Sequence, residues 1–316
     1  PESVEALNAM ALELSGSELI AILTAFFLVA ITPVIAVLLW FLRRNFEPPM
    51  RSKVLKIAGG MVALSAVGLA YLIFNSGSDS QEMEIINKWI GLSPIMYLLI
   101  LLSFPPMAIG LWLGVKHLQN RPILSLHTAA KRFRWRRLLF SMGVFWTIAI
   151  ILSAFGHLSG LSKAEFVFDA SRFWAYLPIT LLFIPMQSAT EEIALRGFLN
   201  QGLGQYIKNP WIVFVLTSAA FAALHLSNPE VAEGTKESSM LVVLSGYFFF
   251  GLFACVLTYI DGGLETAIGV HAANNMFAAA FMGYENSALP TPTVFRIGLD
   301  TQLDSLMTIA ALSLVI

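Results

Sequence analysis

The sequence contains few charged residues and a single cysteine. Only 12% of its 316 residues are charged, whereas about 25% are charged in a typical soluble domain. The net charge is −1, so a nucleic-acid partner is not expected. The lone cysteine, Cys255, excludes an internal disulfide and a cysteine-based zinc site. Because it lies within an apolar run, it is most simply a small residue at a helix contact.

Hydrophobic residues make up 57% of the chain, and the mean hydropathy is +0.74. They are concentrated in runs of the length that a helix needs to cross a bilayer, about 20 residues. The sequence therefore predicts an all-α fold, a polytopic transmembrane helical bundle of eight spans plus a truncated ninth, from Leu306 to Ile316. The eight spans are predicted at 20–42, 57–74, 92–115, 138–156, 173–207, 210–226, 239–260 and 267–284.

The basic residues are concentrated in the alternate loops 43–56 and 116–137, and Arg196 and Lys208, near the turn between the fifth and sixth spans, lie on the same side. By the positive-inside rule these loops face the cytoplasm and the N-terminus lies outside. Residues 1–18 are acidic and lack the basic start of a signal peptide, which indicates a short external amphipathic segment. We therefore expect two parts. The first, 1–137, holds the external segment, three leading helices and a basic cytoplasmic loop, and the second, 138–316, carries the chemistry.

Most of the predicted spans contain no ionisable side chain, and the exceptions form one group. They are Glu191, Glu192 and Arg196 on the fifth span, His225 on the sixth and His271 on the eighth. A charge in the middle of the bilayer costs at least about 2.5–3.5 kcal/mol, so such residues are usually retained for function. The group therefore predicts a functional site.

Helix geometry predicts that these side chains converge. Glu191 and His225 are equally far along the chain from the turn at 208–210, so antiparallel helices place them at the same depth. His271 and Asn275 are four residues apart and share one helix face, which enters the membrane from the cytoplasmic turn at 261–263.

The spacing also predicts different roles for the two carboxylates, Glu191 and Glu192. Glu192 and Arg196 are four residues apart, which suits an ion pair along a helix. That pair leaves Glu191 as the carboxylate without a counter-charge. Because desolvation favours the protonated form of a carboxyl group, Glu191 suits the role of general base.

The remaining polar groups allow two chemistries. In one, His225 shares an activated water with Glu191, while His271 and Asn275 donate hydrogen bonds to a developing oxyanion. In the other, Glu191, His225 and His271 bind a divalent metal such as zinc, since two histidines and a carboxylate are a common zinc set. The residues alone leave both open.

Three short motifs occur in order within the predicted spans: EExxxR at 191–196, FxxxH at 221–225 and HxxxN at 271–275. Together they resemble the CPBP family, which contains the CAAX-type prenyl endopeptidases and the bacteriocin-processing enzymes. The resemblance covers about 170–285 and implies an all-helical intramembrane protease core.

The resemblance also implies roles. The positions thought to act in catalysis, by activating water or stabilising the oxyanion, are matched by Glu191, His225, His271 and Asn275. Glu192 and Arg196 match positions that bind substrate or hold the structure, and Phe221 is more simply a packing residue. Both metal-dependent and metal-independent glutamate mechanisms have been attributed to the family, and the sequence leaves that choice open.

Other membrane enzymes fit poorly, because the chain has no HExxH motif, no GxSG on a helix start with a partnering histidine, and no second membrane aspartate to join Asp261. Two further classes stay open: a non-proteolytic scaffold or partner-binding subunit of the same fold, and an ion or proton transporter. The transporter is disfavoured because the halves of the sequence show no pseudo-symmetry. The expected location is a prokaryotic cytoplasmic membrane. The expected partners are lipid and a peptide or protein substrate.

Overall fold

The computed structural model describes Met50 and residues 52–53, 56, 88, 90–226, 228–237, 239–284 and 287–298. The predicted external segment, the predicted spans 20–42 and 57–74 and the predicted ninth run lie outside the described residues. The described part of the chain is mostly helical.

The first described helices correspond to the third and fourth predicted spans. Helices α1 (Pro94–Leu101) and α2 (Pro105–His117) both start with proline, which suits the first turn because it needs no N–H donor there. A 3-10 turn (Ile123–Leu126) follows, and then the long apolar helix α3 (Trp135–Leu158). Ser93 caps α1 by accepting a hydrogen bond from the backbone N–H of Met96.

The fifth predicted span is one continuous helical run with a change of pitch inside it. Helix α4 (Ala170–Glu192) passes into a π-helical segment (Ile193–Leu199) and then into α5 (Asn200–Tyr206). Pro178 and Pro185 lie inside α4, where each removes one backbone hydrogen bond. Segments of π-helix are rare in proteins, and those that occur often lie at functional sites.

Four more helices follow within the described residues. Helix α6 (Pro210–Leu224) ends at a bend of 92° before the short α7 (Pro229–Glu237), and α8 (Met240–Asp261) returns along α6. Helix α9 (Glu265–Met276) continues into a second π-helical segment (Phe277–Phe281).

A small sheet corrects the expectation of an all-α fold. Strands β1 (Ala164–Phe166), β2 (Met282–Tyr284) and β3 (Phe295–Ile297) pair in the order β1-β3-β2, with β3 antiparallel to β1 and parallel to β2. These segments leave the helices at one end of the bundle, where their backbone groups need new partners. The rings of Phe166 and Phe295 pack 5.6 Å apart across the β1–β3 pair. Hydropathy alone does not separate such short strands from helix ends.

Helix α9 lies at the centre of the described helices and packs against α3, α4 and α8. Its contact with α3 is close because residue 269 is glycine. A Cβ atom on Gly269 would lie 2.1 Å from the Ser141 hydroxyl oxygen and 2.4 Å from the Leu138 carbonyl oxygen. The absent side chain therefore lets the two helices approach.

The structure does not show eight membrane spans. Within the described residues, three helical stretches are long and apolar enough to cross a membrane: Pro94–His117, Trp135–Leu158 and Met240–Asp261. The bent pair of α6 and α7 makes a fourth if it is one span. The predicted spans at 173–207 and 267–284 are mainly helical but are not among these. The first carries Gln187, Glu191 and Glu192, and in the second the α-helix ends after only 12 residues.

Two loops predicted to lie on the same side of the membrane touch each other. The backbone N–H of Leu264, in the turn between α8 and α9, donates to the His127 carbonyl at 2.7 Å. Arg134 donates to both oxygens of Glu265, at 3.0 and 2.7 Å, and to a carboxylate oxygen of Asp261 at 3.0 Å. The 116–137 loop is thus tied to the turn that leads into α9.

Candidate functional site

A buried ion pair forms the base of the site. The Glu192 and Arg196 side chains are both 0% exposed, and the Arg196 guanidinium donates to Glu192 Oε1 at 3.0 Å. It also donates to the Gly251 carbonyl at 2.9 Å, and its central carbon lies 4.7 Å from the centre of the Phe221 ring. The predicted pair is therefore confirmed. Residue 251 is glycine, and a Cβ atom there would make a tight contact with the guanidinium, at 3.2 Å.

His271 joins this pair, which the sequence did not predict. Its Nδ1 lies 2.8 Å from Glu192 Oε1, and its Nε2 lies 3.8 Å from Glu191 Oε2. The imidazole is buried, with the Phe221 and Phe250 rings against it at 5.9 and 5.1 Å. Because Glu192 also accepts from Arg196, it is the ionised partner, so Nδ1 of His271 is the donor. One histidine thus lies between both carboxylates of the motif.

Glu191 has one occupied and one free oxygen. Its Oε1 accepts a hydrogen bond from the Gln187 side-chain amide, one helical turn earlier. Its Oε2 is buried and has no hydrogen-bond partner in the part of the chain that the structure describes. That free oxygen is the one that faces Nε2 of His271.

Asn275 is connected to the Glu191 carboxylate through Gln187. The Asn275 amide donates to Gln187 Oε1 at 3.1 Å and to the Ser188 hydroxyl at 3.4 Å. Since Gln187 in turn donates to Glu191, the glutamine links Asn275 to the free carboxylate. The neighbouring Asn274 donates to Asn275 Oδ1 at 3.1 Å, so it supports the residue that the motif selects.

His225 lies at the edge of the cluster. It is the residue after the last turn of α6, and its Nδ1 lies 2.7 Å from the Phe221 carbonyl oxygen. Its ring packs between Phe221, at 4.5 Å, and Tyr247, at 4.4 Å with an interplanar angle of 26°. Among the described residues no hydrogen bond joins it to Glu191 or to His271.

The Phe221 ring packs against both histidines of the site. It contacts His225, His271 and the guanidinium of Arg196. The expectation that it packs rather than reacts agrees with these contacts. The structure thus brings the predicted residues together. The two carboxylates, Arg196 and His271 lie side by side, and His225 is linked to them through the Phe221 ring.

The geometry does not support the predicted metal set of Glu191, His225 and His271. Across the described residues, no group of three or more His, Cys, Asp or Glu side chains is arranged to hold a metal ion. His225 makes no described hydrogen bond to Glu191 or His271, and the two histidine rings both pack against Phe221.

Sequence reasoning missed two residues that complete the arrangement, Gln187 and Tyr247. Gln187 had a signal, because it is a polar residue in an apolar run exactly one helical turn before Glu191. Tyr247 had none, since an aromatic residue in an apolar helix is ordinarily a packing residue. Only the packing of α8 against α6 shows that its ring lies on His225.

Comparison with known proteins agrees with the motifs. The family model for type II CAAX prenyl endopeptidase Rce1-like proteins matches residues 170–277. These residues are an Rce1-like CAAX prenyl endopeptidase family domain. The Rce1-like domain runs from α4 through α9 and contains every motif residue. The predicted family membership is therefore confirmed, whereas α1 to α3 and the sheet lie outside the match.

A relative extends the similarity beyond the domain. The chain is 32% identical over 192 residues to the uncharacterized protein YyaK of Bacillus subtilis (strain 168). The match covers 60% of this chain and 62% of YyaK, so the chain spans less than two thirds of that relative's length. No solved structure matches.

Proposed function

We propose that this protein is an intramembrane endopeptidase that hydrolyses a peptide bond in a membrane-associated substrate. The Rce1-like domain supports a protease of the CAAX type. The observation that carries the proposal is the free, buried Oε2 of Glu191, which lies 3.8 Å from Nε2 of His271. A carboxylate oxygen that is buried and has no hydrogen-bond donor is suited to accept a proton from water.

Water activation falls to Glu191 with His225. In neutral His225, the contact between Nδ1 and the Phe221 carbonyl places the proton on Nδ1, so Nε2 is the hydrogen-bond acceptor. Glu191 takes the proton as the water oxygen attacks the carbonyl carbon of the scissile bond. The same proton then passes to the leaving amine when the carbon–nitrogen bond breaks, so the enzyme returns to its starting state.

His271 and Asn275 are the proposed oxyanion donors. Because Nδ1 of His271 donates to Glu192, Nε2 can donate to the oxyanion only in the doubly protonated imidazole. The carboxylates of Glu191 and Glu192 both lie beside this ring, 3.8 Å from Nε2 and 2.8 Å from Nδ1. The Asn275 amide must exchange its hydrogen bond to Gln187 for one to substrate.

Glu192 and Arg196 are proposed to hold this arrangement rather than to react. Their pair fixes Nδ1 of His271 and ties α4 to α8 through the Gly251 carbonyl. Substitution of either residue is then expected to lower activity by displacing His271.

The proposed substrates are prenylated or leader peptides at the membrane, reached from its cytoplasmic half. Lipid and the substrate protein are the proposed partners, and a prokaryotic cytoplasmic membrane is the proposed location. The alternative is a non-proteolytic scaffold of the same fold, which predicts that substitution of Glu191 leaves all peptides unchanged.

The test is a comparison of membrane peptide termini in host cells that express the wild type, Glu191→Gln or Glu165→Gln at matched levels. Glu165 is an exposed carboxylate on β1, away from the Rce1-like domain, and serves as the control. New termini with the wild type and the control, but not with Glu191→Gln, are the expected result. Identical peptides in all three would overturn the proposal and favour the scaffold.

A further inference from the structure

A second polar cluster lies beside His225, outside the three motifs. The Glu230 carboxylate accepts hydrogen bonds from the Tyr247 hydroxyl at 2.7 Å, the Asn228 amide at 2.9 Å and the backbone N–H of Ala288 at 2.8 Å. Its donors come from three places: the bend between α6 and α7, helix α8, and the loop after β2. Glu230 therefore joins three segments, two of which contact His225, through Tyr247 and Asn228.

The cluster is shielded from solvent and satisfied internally. Glu230 is only 8% exposed and lies in the first turn of α7, where the helix dipole favours a negative charge. Both of its oxygens are used, Oε1 by Tyr247 and Asn228 and Oε2 by Ala288. Three hydrogen bonds to one buried carboxylate fix its position, and bonds to a charged acceptor are about twice as strong as neutral ones.

His225 needs such support because it is no longer inside a helix. Helix α6 ends at Leu224, and His225 has φ −99° and ψ 2°, outside the helical region. Its backbone carbonyl accepts from the N–H of Asn228 at 3.0 Å, which ties it to the bend. Its ring is held by Phe221 on one side and by Tyr247 on the other.

We infer that Glu230 and Tyr247 are positioning residues that hold the imidazole of His225, with Nδ1 on the Phe221 carbonyl. The Tyr247 ring covers the imidazole, and Glu230 fixes that ring through its hydroxyl. Neither residue touches the reacting atoms. The effect on catalysis rests on the proposed function, whereas the effect on the geometry of His225 does not.

Three variants separate the steps of this inference. Tyr247→Leu removes the covering ring. Tyr247→Phe keeps the ring but removes its hydrogen bond to Glu230. Glu230→Gln has one acceptor oxygen, which cannot accept from both Tyr247 and the backbone N–H of Ala288, so the ring is held less firmly. Tyr176→Phe is the matched control, because Tyr176 is a buried tyrosine whose hydroxyl donates to the Ile90 carbonyl at 2.8 Å, away from His225.

The deciding measurement is the two-bond ¹H–¹⁵N correlation spectrum of the ¹⁵N-histidine-labelled full chain in lipid nanodiscs, with the His225 signal assigned from His225→Gln. In the wild type and in Tyr176→Phe we expect one tautomer, protonated at Nδ1. In Tyr247→Leu we expect averaged nitrogen shifts, and in Tyr247→Phe and Glu230→Gln a partial change in the same direction. This spectrum is independent of any proteolysis, so it separates failure of the inference from failure of the proposed function.

Proteolytic activity gives a second readout once a substrate has been identified. Because a displacement of about 1 Å can cost about 100-fold in rate, Tyr247→Leu is expected to lower kcat by about 10- to 100-fold with KM nearly unchanged. If Tyr247→Leu does not fold, Tyr247→Phe and Glu230→Gln carry the test. A wild-type His225 spectrum in every folded variant would overturn the inference.

Discussion

The buried pair of Glu192 and Arg196 makes a quantitative prediction. In Arg196→Met the Glu192 carboxylate stays buried without its cation, and the contact with the Phe221 ring is lost. Removing one member of a buried ion pair costs about 3–5 kcal/mol. The lost cation–π contact adds about 0.5–2 kcal/mol. The hydrogen bond between His271 Nδ1 and Glu192 Oε1, which this variant keeps, offsets part of this loss. We therefore expect a net loss of about 3–5 kcal/mol in the free energy of unfolding.

The reasoning is tested by a double-mutant cycle with Glu192→Gln. The double variant has no isolated charge, so it should be more stable than the sum of the single losses by about 1–3 kcal/mol. The assay is reversible unfolding by sodium dodecyl sulfate in mixed micelles. As a control, Arg136→Met removes an exposed arginine and should change stability by less than about 0.5 kcal/mol. Additivity of the two single losses within about 0.5 kcal/mol would refute the account of a coupled buried pair.

Three further outcomes follow from other contacts. Burial raises the pKa of Glu265, but hydrogen bonds from Arg134 outweigh it and hold the pKa below its usual 4.5. Stability from this pair is therefore complete above about pH 4.5 and is lost as the pH falls further, and Glu265→Gln should reduce the acid-side slope of an unfolding curve. Gly269→Ala should destabilise the protein by about 1–3 kcal/mol in the same assay because its Cβ overlaps α3, whereas Gly143→Ala, with open space around the new Cβ, should not. His271→Ala should lower kcat by about 10²–10³-fold if it stabilises the oxyanion, and a normal rate would exclude that role.

Part of the assembly of the site was predictable because helix geometry is regular. Equal distances along the chain from the turn at 208–210 predicted that Glu191 and His225 approach the same level, and both now lie around the Phe221–His271 contact. The four-residue spacing of Glu192 and Arg196 likewise predicted their ion pair.

Details that depend on helix ends and on packing between helices were not predictable. The 210–226 span was expected to hold His225 inside a helix, but α6 ends at Leu224 and the chain then bends by 92°. The bond between His271 and Glu192 depends on how α9 sits against α4, which no local pattern encodes. The same limit applies to Tyr247, whose role comes from the approach of α8 to His225.

Within the described residues, fewer helices than predicted are long and apolar enough to cross a membrane. The helices that carry the site are more polar or shorter than a free-standing span requires. Helix α9 is largely enclosed by α3, α4 and α8, so protein contacts replace part of the contact with lipid. Such enclosed helices carry the polar residues of the site. Their hydropathy is therefore lower than that of helices that face lipid, and they fall below the value expected of a membrane span.

The most direct test of the central claim is hydrolysis by the purified protein in lipid nanodiscs, carried out in H₂¹⁸O. The substrate is a peptide whose cleavage in cells depends on Glu191, or a prenylated CAAX peptide as the first probe. If Glu191 activates water for peptide-bond hydrolysis, the wild type gives a product whose new C-terminal carboxylate carries ¹⁸O, and Glu191→Gln gives none. Cleavage of equal extent in both proteins, or no cleavage of any Glu191-dependent peptide by the folded wild type, would contradict the account.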